Sequence, residues 1–203
     1  MQLSSKFDQA LVYASELHRT QVRKGSGVPY ISHLLAVSSL VIENGGTEDE
    51  AIAALLHDAV EDQGGLATLE KIRQRFGDRV AAIVEGCTDS TADTSKGEVK
   101  LLWRQRKASY IAHIPTASAS VRLVSAADKL HNARTILNDY QILGEAVWSR
   151  FKGGKEGSLW YYRALVQAFQ ETGSGFLIDQ LEQVVNELEH LVAIATKTSN
   201  ELI

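Results

Sequence analysis

An all-α fold is predicted, a bundle of about ten helices forming a single domain over residues 1–203, and three observations carry that expectation. Apolar residues recur at three- and four-residue intervals through nearly the whole chain, as in helices that bury one face. Only two prolines occur, so few helix interiors are interrupted. No stretch of useful length alternates apolar and polar residues as a half-buried strand does, and neither a repeat period nor a low-complexity tract is visible.

The elements follow in order. Phe7, Leu11, Ala14 and the pair Leu17-His18 recur at helical spacing, and Ser4 or Ser5 is placed to cap that first helix. Glycines and a proline mark 23–29 as a turn. A second helix is expected over 30–43, with Leu34, Val37, Leu40 and Val41 inward, until Asn44-Gly45-Gly46 stops it. Thr47-Glu48-Asp49-Glu50 is a helix start with an acid three residues beyond the cap. The helix it opens turns Ile52, Leu55, Leu56 and Ala59 to the core and runs on through Asp62 towards Gly64-Gly65. Residues 68–76 and 78–87 read as two shorter helices parted by Gly77, and 89–97 as a polar, mobile loop. Helices are expected over 98–113, broken by Pro115, and over 119–140, as one helix or two end to end. Leu123, Ala126, Leu130, Ala133 and Leu137 form the apolar stripe of the latter. After a turn at 152–155, helices over 157–171 and 176–196 close the chain. The apolar positions of the last, among them Leu177, Leu181, Val184, Leu188 and Leu191, are expected to pack within the domain; the oligomeric state is not encoded in any visible pattern.

A chain of 203 residues with 44% hydrophobic and 23% charged content can bury a substantial core and has the balance of a soluble globular protein. Residues 1–8 hold no apolar run of signal-peptide length, and no segment suits a membrane span. Cys87 is the only cysteine, which excludes an internal disulfide and a thiolate metal cluster, so a cytoplasmic protein is expected. The net charge of −4 argues against a general nucleic-acid binder but leaves room for a local basic pocket holding a small phosphorylated ligand.

Chemistry concentrates in Leu55-Leu56-His57-Asp58-Ala59-Val60-Glu61-Asp62. On a continuous helix His57 and Asp58 share one turn, and Glu61 and Asp62 stack one turn further along. An acidic helix end is commonly just solvated surface. Buried, this group demands a counter-charge, and a divalent cation is the simplest one. Two other places offer ligands. His33 follows the proline turn, where a histidine often only caps or packs a helix. Asp128, in Ser125-Ala126-Ala127-Asp128-Lys129-Leu130-His131-Asn132, borders an apolar stripe and needs a metal or a neighbouring cation such as arginine. Taken together, His33, His57, Asp58 and Asp128 are two imidazoles and two carboxylates, suited to a borderline divalent ion. Four protein ligands on an octahedral ion leave positions open for water and a substrate oxygen, as a catalytic site requires.

The order His…His-Asp…Asp resembles the HD-domain metal-dependent phosphohydrolases. The longer stretches Arg23-Lys24-Gly25-Ser26-Gly27-Val28-Pro29-Tyr30-Ile31-Ser32-His33, Leu56-His57-Asp58-Ala59-Val60-Glu61-Asp62 and Ala127-Asp128-Lys129-Leu130-His131-Asn132 resemble the hydrolase domain of the RelA/SpoT enzymes, in the form of the stand-alone small alarmone hydrolases. Trp148-Ser149-Arg150-Phe151-Lys152-Gly153-Gly154-Lys155-Glu156 and Leu159-Trp160-Tyr161-Tyr162 are similar to that subgroup too, so the resemblance covers about 7–172 and leaves the last helix undistinguished. It implies a single HD domain that hydrolyses the 3′-pyrophosphate of guanosine tetra- or pentaphosphate to GDP or GTP and pyrophosphate. It also implies one Mn2+ held by His33, His57, Asp58 and Asp128, with the Glu61–Asp62 pair activating water and managing protons.

So anionic a nucleotide beside so acidic a site calls for cations. Arg23 and Lys24 are within reach of a base or phosphate, and the resemblance sets them beside the nucleobase. Lys129 is placed for phosphate and Asn132, one helical turn after Asp128, for ribose or base. Of the basic run Arg104, Arg106 and Lys107 only Lys107 is retained, for phosphate. Tyr161 is a pocket aromatic or part of the core. His18, His113 and His190 are assigned structural roles, and His131 lies beside the site. Relatives of this kind extend the substrate range to adenosine alarmones and the 2′-phosphate of NADPH, and a nucleotide sensor that does not turn over would lack the Glu61–Asp62 pair, which is present.

Overall fold

The structure, a computed structural model, describes residues 2–92 and 96–201, with side chains as far as residue 197. Its helices are α1 (Ser5–Leu17), α2 (Ile31–Glu43), α3 (Glu48–Leu56), α4 (Ala59–Asp62), α5 (Gly65–Phe76), α6 (Asp78–Cys87), α7 (Trp103–His113), α8 (Ala119–Leu143), α9 (Gly154–Gln170) and α10 (Phe176–Glu201). Two 3₁₀ turns, Ile114–Thr116 around Pro115 and Gly144–Arg150, join them. The all-α expectation is borne out: among the described residues the extended pairing is a single bridge between Val22 and Pro29. That bridge closes the expected turn, with Arg23 N–H donating to Val28 O at 2.8 Å and Tyr30 N–H to Gln21 O at 2.9 Å.

Local signals set the helix starts. Ser4 rather than Ser5 caps α1, accepting from Lys6 N–H. Thr47 and Glu50 form the complete capping box of α3. Ser118 caps α8 and Gly144 stops it; with no proline or glycine between, α8 is one helix where two end to end were an alternative. α3 lies at the centre, and Ala51 to Leu56 are fully buried. It packs on α1, α2, α6 and α8, while α8 also carries α10, which packs on α9 as well. Leu177, Leu181 and Leu188 are thus buried within the chain, and α10 extends beyond the expected end at 196.

Three expectations need correction. The helix opened by Thr47 does not run through Asp62: α3 stops at Leu56, and His57 and Asp58 form a turn before the single turn α4. His57 Nδ1 bonds Ala54 O at 2.8 Å, the carbonyl a continuing helix would offer to Asp58 N–H. α7 begins at Trp103 rather than 98. In the expected loop 89–97, residues 93–95 lie outside the described residues, and Asp89 is not a solvated loop acid but has a buried side chain. No helix among the described residues is long and apolar enough to cross a membrane.

Leu181 on α10, which packs on α8 and α9, is fully buried. Leu181→Ala is expected to lower unfolding free energy by about 2–5 kcal/mol, read from urea denaturation of the purified protein.

Candidate active site

Three elements converge on one buried point. α2 presents His33, fully buried, from its first turn; the α3–α4 junction presents His57 and Asp58; α8 presents Asp128 from its buried face. His33 Nε2 lies 3.1 Å from Asp128 Oδ1 and 3.6 Å from Asp58 Oδ2. His57 Nε2 lies 3.1 Å from Asp58 Oδ2 and 3.5 Å from Asp128 Oδ1. The four residues picked from the sequence therefore meet, and His33, His57 and Asp58 are spaced as metal ligands are.

The surroundings fix how each ligand faces. Because Ala54 O can only accept, His57 Nδ1 carries a proton and Nε2 is the nitrogen turned to the site. His33 Nδ1 lies 2.8 Å from His131 Nδ1. Burial, with the neighbouring His33 and Arg23, pushes the His131 ring down to about 4, so it is neutral and can accept from His33. Tyr30 donates its hydroxyl to Asp58 Oδ2 at 2.5 Å. Lys129 Nζ donates to Asp128 Oδ2 at 2.5 Å and Asn132 Nδ2 to Asp128 Oδ1 at 2.5 Å.

The residues fit a divalent cation. Nε2 of both His33 and His57 is buried without a hydrogen-bond partner. Burial opposes ionisation of Asp58 and Asp128, yet the adjoining histidines, and Lys129 for Asp128, hold both well below the usual carboxylate range. Burial likewise opposes charge on His57, and the two carboxylates overcome it and raise that ring well above its ordinary value, so a proton and a cation compete for the same Nε2. The point between the four groups calls for positive charge, and two nitrogens with two oxygens suit a borderline metal.

The acid pair lies one step along. Glu61 Oε1 is 3.1 Å from Lys100 Nζ and 3.5 Å from Arg106 Nη1. Beneath it Asp89 is paired with Arg106 and, at 2.6 Å, with Lys107. Burial first, then the Asp89 charge, push Glu61 up to about 7, whereas Lys107 and Arg106 outweigh burial and bring Asp89 down to about 2. Asp62 Oδ2 accepts from Gln21 Nε2 at 2.8 Å. Crowding by protein, then the Asp58 charge, raise the Asp62 carboxyl although it stands at the solvent edge.

Residues 10–157 match the family model of the HD domain. The chain belongs to the HD-domain family. It is 39% identical over 131 residues to the Xenopus tropicalis protein named guanosine-3′,5′-bis(diphosphate) 3′-pyrophosphohydrolase MESH1, covering 63% of this chain and 68% of that one. To the Mus musculus protein of the same name it is 32% identical over 177 residues, covering 81% and 93%. A solved structure described as a metazoan ortholog of SpoT that hydrolyses ppGpp superposes with a TM-score of 0.73 at 28% identity, covering 92% of this chain and 97% of that one. The expectation of a metal-dependent phosphohydrolase of the HD family is borne out.

Around this HD centre the expected ligand-binding residues are spread unevenly. Arg23 Nη2 donates to Asn132 Oδ1 at 2.8 Å, linking the 23–29 turn to Asp128 through Asn132. Lys24 is exposed on that turn. Lys129 lies against Asp128 and 4.8 Å from the Tyr110 ring centroid. Lys107, held by Asp89, lies 5.0 Å from the Tyr161 ring centroid. Tyr161 is packed into the core at 6% exposure, yet its hydroxyl has no hydrogen-bond partner among the described residues. Five further residues take part without having been assigned from the sequence: Tyr30, Asp89, Lys100, Arg106 and Gln21. Tyr30 lies inside the stretch that carries the resemblance, and Arg106 lies in the basic run from which only Lys107 is retained; Asp89, Lys100 and Gln21 bear no local signal. His18, assigned a structural role, is buried and stacks on Tyr30 with ring centroids 5.3 Å apart.

His131 orients His33 without touching the point where ligands meet. His131→Ala is expected to weaken divalent-cation affinity by roughly 10- to 100-fold with the helical content unchanged, measured by competition with a chelating dye and by circular dichroism.

Proposed function

We propose that this protein hydrolyses the 3′-pyrophosphate of guanosine alarmones, releasing GDP or GTP and pyrophosphate, with one Mn2+ held by His33, His57, Asp58 and Asp128, and that residues 1–203 act as one HD phosphohydrolase domain in the cytoplasm. The observation that carries the reading is the convergence of two site-facing imidazole nitrogens and two carboxylates beside a Glu–Asp pair, in a chain that shares its family with proteins named 3′-pyrophosphohydrolases. When bound, the cation supplies Lewis acidity, polarising a phosphoryl oxygen and lowering the pKa of a water.

The chain's own groups do the rest. Hydrolysis forms a bond from water oxygen to the phosphorus on the ribose 3′-oxygen and breaks the bond between that phosphorus and the 3′-oxygen. The water gives up a proton and the ribose oxygen gains one. Asp62 stands at the solvent edge as the acceptor, and Glu61 holds a proton until about pH 7 and can give it to the departing oxygen. Arg23 and Lys24 flank the base, Asn132 meets the ribose or base, Lys129 and Lys107 receive phosphate, and Tyr161 is the pocket aromatic.

Incubation of the purified protein with Mn2+ and a panel of guanosine and adenosine tetraphosphates, NADPH and dNTPs, resolved by anion exchange, tests the reading. Pyrophosphate and GDP from the guanosine alarmone are expected; pyrophosphate from none of the 3′-pyrophosphorylated nucleotides overturns it. Asp58→Ala should lose both metal and turnover, while Glu61→Gln should keep the metal and lose roughly 100-fold or more in kcat.

A pH profile tests the division of labour. A protonated Glu61 is the active form, so kcat should fall as pH rises through about 7. The Asp89 charge raises Glu61, so Asp89→Asn should move that fall to lower pH; a limb that stays in place would rule out Glu61 as the proton donor.

A further inference from the structure

Three neutral side chains outside the metal centre form a chain of hydrogen bonds that ends on Asp62. Gln21 Nε2 donates to Asp62 Oδ2 at 2.8 Å. Gln21 Oε1 accepts from Gln63 Nε2 at 2.8 Å and lies 2.7 Å from His18 Nδ1. An ionised carboxylate can only accept, so the Gln21 atom facing it is the amide nitrogen. The Gln21 oxygen then faces away, and both Gln63 and His18 Nδ1 must donate to it. Burial keeps the His18 ring neutral, which leaves one N–H, and that N–H is the one Gln21 uses. His18 is in turn held by its stack on Tyr30, the residue that donates to Asp58.

The direction of every bond in this chain is thus fixed, and a flipped Gln21 amide would set an oxygen against the carboxylate and lose two donors at once. The support is also structural in origin: Gln21 N–H donates to His18 O at 3.0 Å, and beside the Val22–Pro29 bridge Gln21 O accepts from Tyr30 N–H at 2.9 Å. Asp62 itself sits on a helix of one turn, followed by Gln63 and by Gly64 at φ +116°, so its own element gives it little rigidity.

We propose that Gln21 is a positioning residue for the hydrolytic step: its amide, turned and locked by His18 and Gln63, binds Asp62 Oδ2 and leaves Oδ1 aimed as the proton acceptor for the attacking water. The role rests on the hydrolase reading given above. Gln21 does not touch water or nucleotide. It acts through the orientation and ionisation of Asp62, and so belongs to kcat rather than to substrate or metal binding.

The test is a double-mutant cycle on the full chain with Mn2+ and guanosine tetraphosphate. Gln21 is only half-buried, so Gln21→Ala is expected to fold, with its metal content and KM as in the wild type and kcat lower by about 10- to 100-fold. In an Asp62→Asn background the same substitution should change kcat less than twofold, since the group it positions is gone. His18→Ala, which frees Gln21 to flip, should reproduce the kcat loss, and His18→Asn, which keeps an N–H near the Nδ1 position, should recover part of it. A wild type that turns over while Gln21→Ala matches its kcat, or equal losses in both backgrounds, overturns the positioning role alone. No pyrophosphate from the wild type overturns the hydrolase reading and this role with it.

Discussion

Two carboxylates and two imidazoles share one buried point, and the molecule is arranged around that electrostatic demand. Removing Asp58 and Asp128 from water is unfavourable by several kcal/mol each unless positive charge stands against them. The chain supplies part of that compensation itself. Lys129 lies on Asp128 through a 2.5 Å contact, Tyr30 donates to Asp58, and Asn132 donates to Asp128. What remains is the space between the two Nε2 atoms and the two carboxylates, and a divalent cation suits it.

Holding the donors is the work of the helix packing. α3 is buried throughout its second half, so the turn that follows it is set rigidly, and the Ala54 carbonyl that accepts from His57 aims the ring. α8, one uninterrupted helix that packs on α2, α3 and α10, brings both Asp128 and His131. His33 is oriented by His131 from across that interface, so the α2–α8 packing is itself part of the candidate metal centre.

The acid pair shows how environment divides two neighbouring carboxylates. Glu61 faces a buried lattice of Asp89, Arg106, Lys107 and Lys100, in which a second acid and the loss of solvent outweigh three cations and hold a proton on it to about pH 7. Asp62, one residue on, faces a neutral amide. Adjacent positions on one short helix thereby meet different partners, because successive residues point about 100° apart. The same lattice places cations beside an acidic centre in a chain whose net charge is −4.

Much of this was legible in the residues alone. Periodicity and caps placed the helices, since spacing at three and four residues and the chemistry of Ser4 or of Thr47 with Glu50 act within a few residues of each other. Residue type chose His33, His57, Asp58 and Asp128, because few side chains can hold a divalent ion and these four stood in ordered stretches. The helix break at His57 was not legible, for no glycine or proline marks it in the sequence. Nor were Asp89 under Glu61, His131 against His33, 98 residues apart, or Gln21 on Asp62, 41 apart. A glutamine in a turn and an aspartate opening a polar loop look the same locally whether solvated or committed. The sequence alone determined which groups can bind a metal and move protons; only the tertiary structure decided how each is aimed and how strongly it holds its proton, since both depend on burial and on partners that no local spacing encodes.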